Sequence, residues 1–442
     1  MVLLYSENIT PRLQYIIDFF SSQLFVDPIR ITSNISEFKT SAIPKINYSK
    51  SETGEEEFFI QSTPLLFEKG IKAIEIDCFE VNFHKAFFQT SGDLPFDIFA
   101  ASFYLLSRYE EYLPHQKDEY GRYAYTNSLA YKESFLRQPL VNIWMDEFKK
   151  AFKRKFPGVV FRIRQFKCII SYDIDIAYSF LHKGFARNLG GLLKSAMSGD
   201  WSSVTNRINV LQGKKKDPYD CYEWLDALHL YCRLKPYYFF LVAGKNGKYD
   251  KNISTDQKAF SDLVEYYAGK YKTGIHPSWQ SGDDTKLLKE EVQWLEAVAG
   301  SKIIRSRQHY IRFTLPGTFR NLLDTGIEKD FSMGYGSING FRASVCSSFF
   351  WYDLEKEEKT NLLLYPFCYM DANSVFEQKD SPQQAYSELI EFYEITKKLN
   401  GLFVSIWHNS ILGTDKLHAG WPEMFELFMK ETVYWDAYYD GH

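Results

Sequence analysis

Near Phe156-Pro157-Gly158 the pattern of the chain changes, and this change narrows the possible folds more than anything else in the sequence. Beyond it, short apolar runs at 168–172, 237–242, 273–276, 362–367 and 401–408 alternate with helix-periodic stretches such as 259–270 and 284–298. Apolar runs too short for buried helices, separated by amphipathic ones, predict a parallel α/β sheet or barrel. In such folds the side chains that do chemistry collect at the C-terminal ends of the strands. Several runs here end in Asp, His or Arg.

Residues 1–155 read as a smaller α+β domain, and 156–442 as a (β/α) unit, a division that suits 442 residues. Thr10 is placed to cap a helix that starts at Pro11 and carries Leu13, Ile16, Ile17, Phe19 and Phe20 at helical spacing. Residues 29–32 and 58–60 read as strands. A second helix begins after Pro95 and Asp97, sets Phe99, Phe103 and Leu106 on one stripe, and ends in the polar cluster 107–112.

Composition excludes more than it assigns. The net charge is −4 and the signs are interspersed. The Lys214-Lys215-Lys216 run is short and reads as a solvated loop, so no nucleic-acid partner is expected. Six scattered cysteines form no CxxC pair, as in a reduced, cytoplasmic protein. No signal peptide or membrane span is expected, and the predicted location is cytoplasmic. Aromatic residues make up 17% of the chain, which suits either a bulky core or a cleft for sugar rings.

Four strand ends carry candidate chemistry. Asp173 and Asp175 stand two apart, on one face of an extended chain, where two acids repel unless a cation joins them. One carboxylate would then bind the cation and the other act as base; the alternative is a pair that caps the next helix. His276 ends a second run, and neutral imidazole suits Zn²⁺. Arg307 would orient a free carboxylate and keep it ionised, and His309 would either complete the metal shell or hydrogen-bond within it. Trp407-His408 ends the last run, with His408 as a general acid and Trp407 shielding it or lining the cleft.

Taken in order, these segments resemble the polysaccharide deacetylases of carbohydrate esterase family four, the NodB-type domain. The resemblance is carried by Asp173-Ile-Asp175, His276, Arg307, the Asp330-Phe-Ser-Met-Gly-Tyr segment and Trp407-His408. Gly340-Phe-Arg342, Tyr369-Met-Asp371 and the 96–112 stretch are similar to segments of a bacterial subgroup with an N-terminal extension. The resemblance implies a distorted (β/α) barrel holding a divalent metal, Zn²⁺ or else Co²⁺, Mn²⁺ or Ni²⁺. It implies Asp173 as base, Asp175 and His276 as ligands, Arg307 as the brace of the base and His408 as acid. Tyr178, Asp330, Arg342 and Trp407 are the expected substrate contacts. The implied activity is metal-dependent removal of an N-acetyl, or less readily an O-acetyl, group from an acetylated amino sugar of surface polysaccharide metabolism.

One position departs from that pattern. Gln280 stands where the family carries its second metal-binding histidine. His309 is the candidate third ligand, with Gln280 or a two-ligand site as alternatives. A degenerate site in a non-catalytic carbohydrate-binding protein is the competing reading.

Overall fold

The structure, a computed structural model, describes residues 1–54, 56–244 and 246–434. Among the described residues it has a four-stranded sheet, a nine-stranded sheet and a two-stranded ribbon. In the first, β1 (Val2–Tyr5), β2 (Ile29–Thr32), β3 (Lys45–Ser49) and β4 (Phe58–Gln61) pair in the order β2-β1-β3-β4, all parallel. The helix Pro11–Leu24 crosses from β1 to β2, and Thr10 caps it by accepting from the Leu13 amide. Such a cap contributes about 1 kcal/mol. This unit is therefore parallel α/β rather than the expected α+β. The reason is physical: β1 and β3 are short runs buried along nearly their whole length, so they lack the alternation that would reveal their pairing. A small antiparallel hairpin, β5 (Phe79–Val81) with β6 (His84–Ala86), follows.

The second sheet has nine strands: β7 (Lys167–Ile174), β8 (Tyr237–Val242), β9 (Lys272–Pro277), β10 (Arg305–Ser306), β11 (Lys329–Asp330), β12 (Phe349–Asp353), β13 (Glu358–Leu364), β14 (Tyr369–Met370) and β15 (Leu402–His408). Their order is β12-β13-β11-β10-β9-β8-β7-β15-β14, parallel except for β12 against β13. A barrel was expected. Among the described residues, β14 pairs only with β15 and β12 only with β13, so strand pairing does not close the ladder. The antiparallel β12 occupies the edge that closure would need.

One large apolar cluster runs from Val2 to Val433 and joins the two larger sheets, while a small separate one, Leu3, Tyr5 and Phe38, covers the other face of β1. Buried polar contacts lock the halves together. Arg12 pairs with Glu357, and the Tyr15 hydroxyl donates to the Phe350 carbonyl. Glu111 lies between Arg108 and Arg342, all three buried. Burial alone would raise its carboxyl, but the two guanidiniums outweigh that and hold it down at about 2.

Candidate metal centre and cleft

The C-terminal ends of β7, β9, β10 and β15 open on a cleft of about 370 Å³. Its lining includes Asp173, Asp175, His276, His309 and His408, residues spread over more than two hundred positions of sequence. Parallel pairing brings them together, since β7 lies between β8 and β15, and β9 lies between β8 and β10.

Each imidazole is held from behind. His276 Nδ1 lies 2.6 Å from the Arg307 carbonyl, which can only accept, so this nitrogen carries the hydrogen. Its Nε2 then presents a lone pair to Asp175 Oδ1 at 3.1 Å. His309 Nδ1 likewise donates to buried Asp250 at 2.9 Å, and its Nε2 faces Asp175 Oδ2 at 3.7 Å. Lone pairs facing a carboxylate repel unless a proton or a cation stands between them. Asp175 Oδ1 is buried and has no hydrogen-bond partner, an orphaned acceptor that a cation would satisfy.

The donor atoms of Asp175, His276 and His309 all lie within 4.8 Å of one another. Two imidazoles and one carboxylate, fixed by a carbonyl and an aspartate behind them, form a donor set that fits a divalent cation with an open position. Gln280 is exposed and does not line the cleft.

The protons of the metal-free centre follow from these contacts. Burial disfavours charge on His309, but Asp175 and Asp250 outweigh it and lift the imidazole to about 9. Burial would raise the Asp175 carboxyl, but the surrounding imidazoles, His309 first, hold it well below the usual carboxylate range.

Beside the donor set stands Asp173. Arg307, fully buried, reaches Asp173 Oδ1 at 2.7 Å, Ser171 Oγ at 2.9 Å and the Phe331 carbonyl at 3.1 Å, and lies over the Phe239 ring. The guanidinium thus fixes the carboxylate and leaves Oδ2 toward His276 Nε2, 3.9 Å away. Burial lowers the arginine from its ordinary value, against the pull of Asp173. His408 accepts no such brace from arginine. Its backbone N–H and its Nδ1 both donate to Asp371, at 2.7 and 2.6 Å. Burial opposes the charge on this ring, yet Asp371 carries it up to about 10. Its Nε2 faces Asp175 Oδ2 at 3.7 Å.

Four expected substrate contacts lie outside the cleft lining. Trp407 is buried on the other face of β15, donates to Ser405 Oγ and packs on Phe425; side chains alternate along a strand, so its neighbour His408 faces the cleft and it cannot. Asp330 is buried beneath the floor, bonded to Ser306 and Ser332, and burial raises it to about 6. Arg342 is spent on Glu111 and the Gly334 carbonyl. Tyr178 packs against His182 and Tyr222.

Other residues take their place. Tyr120 and Arg122, from the N-terminal half, form part of the cleft wall. Arg122 lies over the Tyr120 ring, donates to the Tyr310 and Gly336 carbonyls, and pairs with Asp118. Tyr120 stacks on Tyr310, and Trp279 and Tyr249 stack on each other beside them. Gly336 permits this approach, because a methyl group there would overlap the Arg122 guanidinium and the Tyr310 carbonyl. No local pattern announces Asp250, Tyr120 or Arg122, since each acts through contacts distant in sequence. Asp371 lies in the Tyr369-Met-Asp371 segment, and only its contact with His408 gives it a role.

A family of unknown function, DUF7033, matches residues 2–157. No curated protein matches the sequence. Among solved structures, a Mycobacterium smegmatis protein assigned as a polysaccharide deacetylase is similar over 61% of this chain and 84% of its own. The identity is 11% and the TM-score 0.39, a level at which the likeness decides neither fold nor activity. The structure defines an α/β protein with a two-histidine, one-aspartate donor set in an aromatic-walled cleft.

Proposed function

We propose that this chain is a metal-dependent hydrolase that removes the acetyl group from an acetylated amino sugar. The observation that carries the reading is the convergence, in one cleft, of the Asp175–His276–His309 donor set with an arginine-braced carboxylate and an aspartate-backed histidine. The order of these residues along the chain, and their resemblance to NodB-type deacetylases, supports it.

A divalent cation held by Asp175, His276 and His309 would supply Lewis acidity to a water and to the acyl oxygen. The chain's own groups handle the protons. Asp173, aimed by Arg307, takes the proton of the water whose oxygen bonds to the acyl carbon. As the C–N bond breaks, His408 gives its Nε2 proton to the departing sugar nitrogen, and Asp371 stabilises its charged form. Acetate and a free amine leave. Tyr120 and Tyr310 line the cleft and offer apolar ring surface to the C–H groups of a sugar.

The test is acetate release from acetylated hexosamines and their oligomers by Zn²⁺-loaded protein, with Asp173→Asn as control. The proposal expects release by wild type and a loss of about a hundredfold or more in the variant. Equal release by both removes Asp173 from its role. Stoichiometric metal with no release from any acetylated sugar leaves a binding protein.

A further inference from the structure

Between β7 and β8 the chain inserts a helical hairpin, Phe185–Met197 and Trp201–Leu211. Its first helix is inside out. Phe185, Leu189, Leu193 and Met197 recur every four residues along one stripe, and all four face outward, Phe185 at 83% and Met197 at 89% exposure. Polar groups face inward instead: Asn188 is buried, donates to the Phe180 carbonyl and accepts from Arg207. Trp201, 67% exposed, opens the second helix at the same end as Met197. A helix bathed in water keeps its apolar stripe against the core, so this stripe is built to be covered by something else.

Charge says what covers it. From His182 to Lys216 there are seven Lys and Arg and one acid, Asp200, in a chain whose net charge is −4. Lys216 pairs with Asp220 and Glu223, Arg187 donates to the Lys251 and Asn252 carbonyls and Arg207 to Asn188, while Lys194, Lys214 and Lys215 are exposed and, among the described residues, enter no ion pair. An apolar stripe and a tryptophan on a hairpin that also carries the exposed Lys194, Lys214 and Lys215 match an anionic lipid surface, where rings and aliphatic chains enter the headgroup boundary and cations meet phosphate. A protein partner would need acidic and apolar features in matching register, and nothing in the structure specifies one.

We infer that the 185–211 hairpin docks this protein on the surface of an anionic lipid bilayer. No helix among the described residues is long and apolar enough to cross a membrane, so the attachment is peripheral. The hairpin lies beside the cleft. The chain passes from Asp175 to Phe185 through one short loop, and Lys416 reaches Ser202 from the 415–418 turn. That turn exposes Leu417 at 85% and sets His418 against Phe376, which lines the cleft. If the hydrolase reading holds, the natural substrate is an acetylated saccharide carried on a lipid; the docking itself does not depend on that reading.

The experiment is vesicle flotation of the full chain on phosphatidylcholine alone and on phosphatidylcholine with phosphatidylglycerol, at low and high salt. Binding to the anionic vesicles is expected to be about tenfold or more tighter, and weakened by salt. Phe185→Asp combined with Met197→Asp should abolish flotation while the thermal midpoint and metal content stay at wild-type values, because neither side chain belongs to the core. Lys214→Glu with Lys215→Glu should weaken flotation on anionic vesicles. The inference is overturned if wild type floats on neither vesicle, or if the aspartate pair floats as wild type does. It is equally overturned if the chain instead forms a dimer that the aspartate pair dissolves. None of these outcomes touches acetate release from soluble sugars, so the two proposals fail separately.

Discussion

His309 donates from Nδ1 to Asp250 at 2.9 Å, and this bond turns its Nε2 toward Asp175. The aspartate fixes both the tautomer and the ring plane, and it sits in a loop that shows no motif. Groups that orient a metal-binding imidazole in this way typically account for about 10- to 100-fold in metal affinity. Asp250→Ala should weaken Zn²⁺ binding by that factor, measured by competition with a chromophoric chelator. Asp250→Asn, which still accepts a hydrogen bond, should recover part of it.

Protonation of the metal-free site sets a pH dependence. His309 is lifted from 6.5 to about 9 and His408 to about 10, so the folded protein holds protons that the unfolded chain releases. Stabilisation from a raised pKa is complete below the unfolded value and is lost as pH climbs through the folded one. The thermal midpoint of metal-free protein should therefore fall between pH 6.5 and 10. Zn²⁺ needs the deprotonated imidazole, so its binding should release protons and tighten as pH rises toward 9. Calorimetry in buffers of different ionisation enthalpy reads the proton count.

Asp371 is placed to keep His408 charged. Burial acts against the charge and Asp371 overcomes it, giving about 10. If His408 is the acid, activity should fall on the alkaline side as that proton is lost. Asp371→Asn removes the carboxylate charge, so the alkaline limb should move toward neutral pH. A variant with a lower rate but an unmoved limb would show that Asp371 acts only through packing.

The N-terminal half reaches the cleft through Tyr120 and Arg122. Tyr120→Ala deletes one face of the aromatic wall and should raise KM for a saccharide about three- to tenfold with little change in kcat. Tyr120→Phe keeps the ring and should stay near wild type. Equal KM in all three proteins would remove the wall from substrate binding.

Much of the second sheet was legible because its strands are apolar runs that stop at polar residues, as at His276 and His408. Those stops place Asp173, Asp175, His276, His309 and His408 in one cleft. The strand period also explains the misplacement of Trp407: residues one apart face opposite ways, so it and His408 could not both reach the cleft. β10, β11 and β14 are two residues long and leave no periodic trace. Arg342 was expected at the site because Gly340-Phe-Arg342 resembles a segment of the deacetylase subgroup. Its partner, Glu111, lies 231 residues away, and only the packed halves reveal the pair. The inside-out stripe at 185–197 has ordinary helical spacing, and sequence alone cannot say which face of a helix is covered.

The central claim is that Asp175, His276 and His309 share one cation. X-ray absorption at the zinc edge of the zinc-loaded chain tests it directly. The account predicts one zinc per chain, two imidazole nitrogens and low-atomic-number oxygen scatterers at about 2.0 Å, with one imidazole lost in His309→Ala. Zinc that binds without imidazole scattering, or a His309→Ala spectrum identical to wild type, would contradict it.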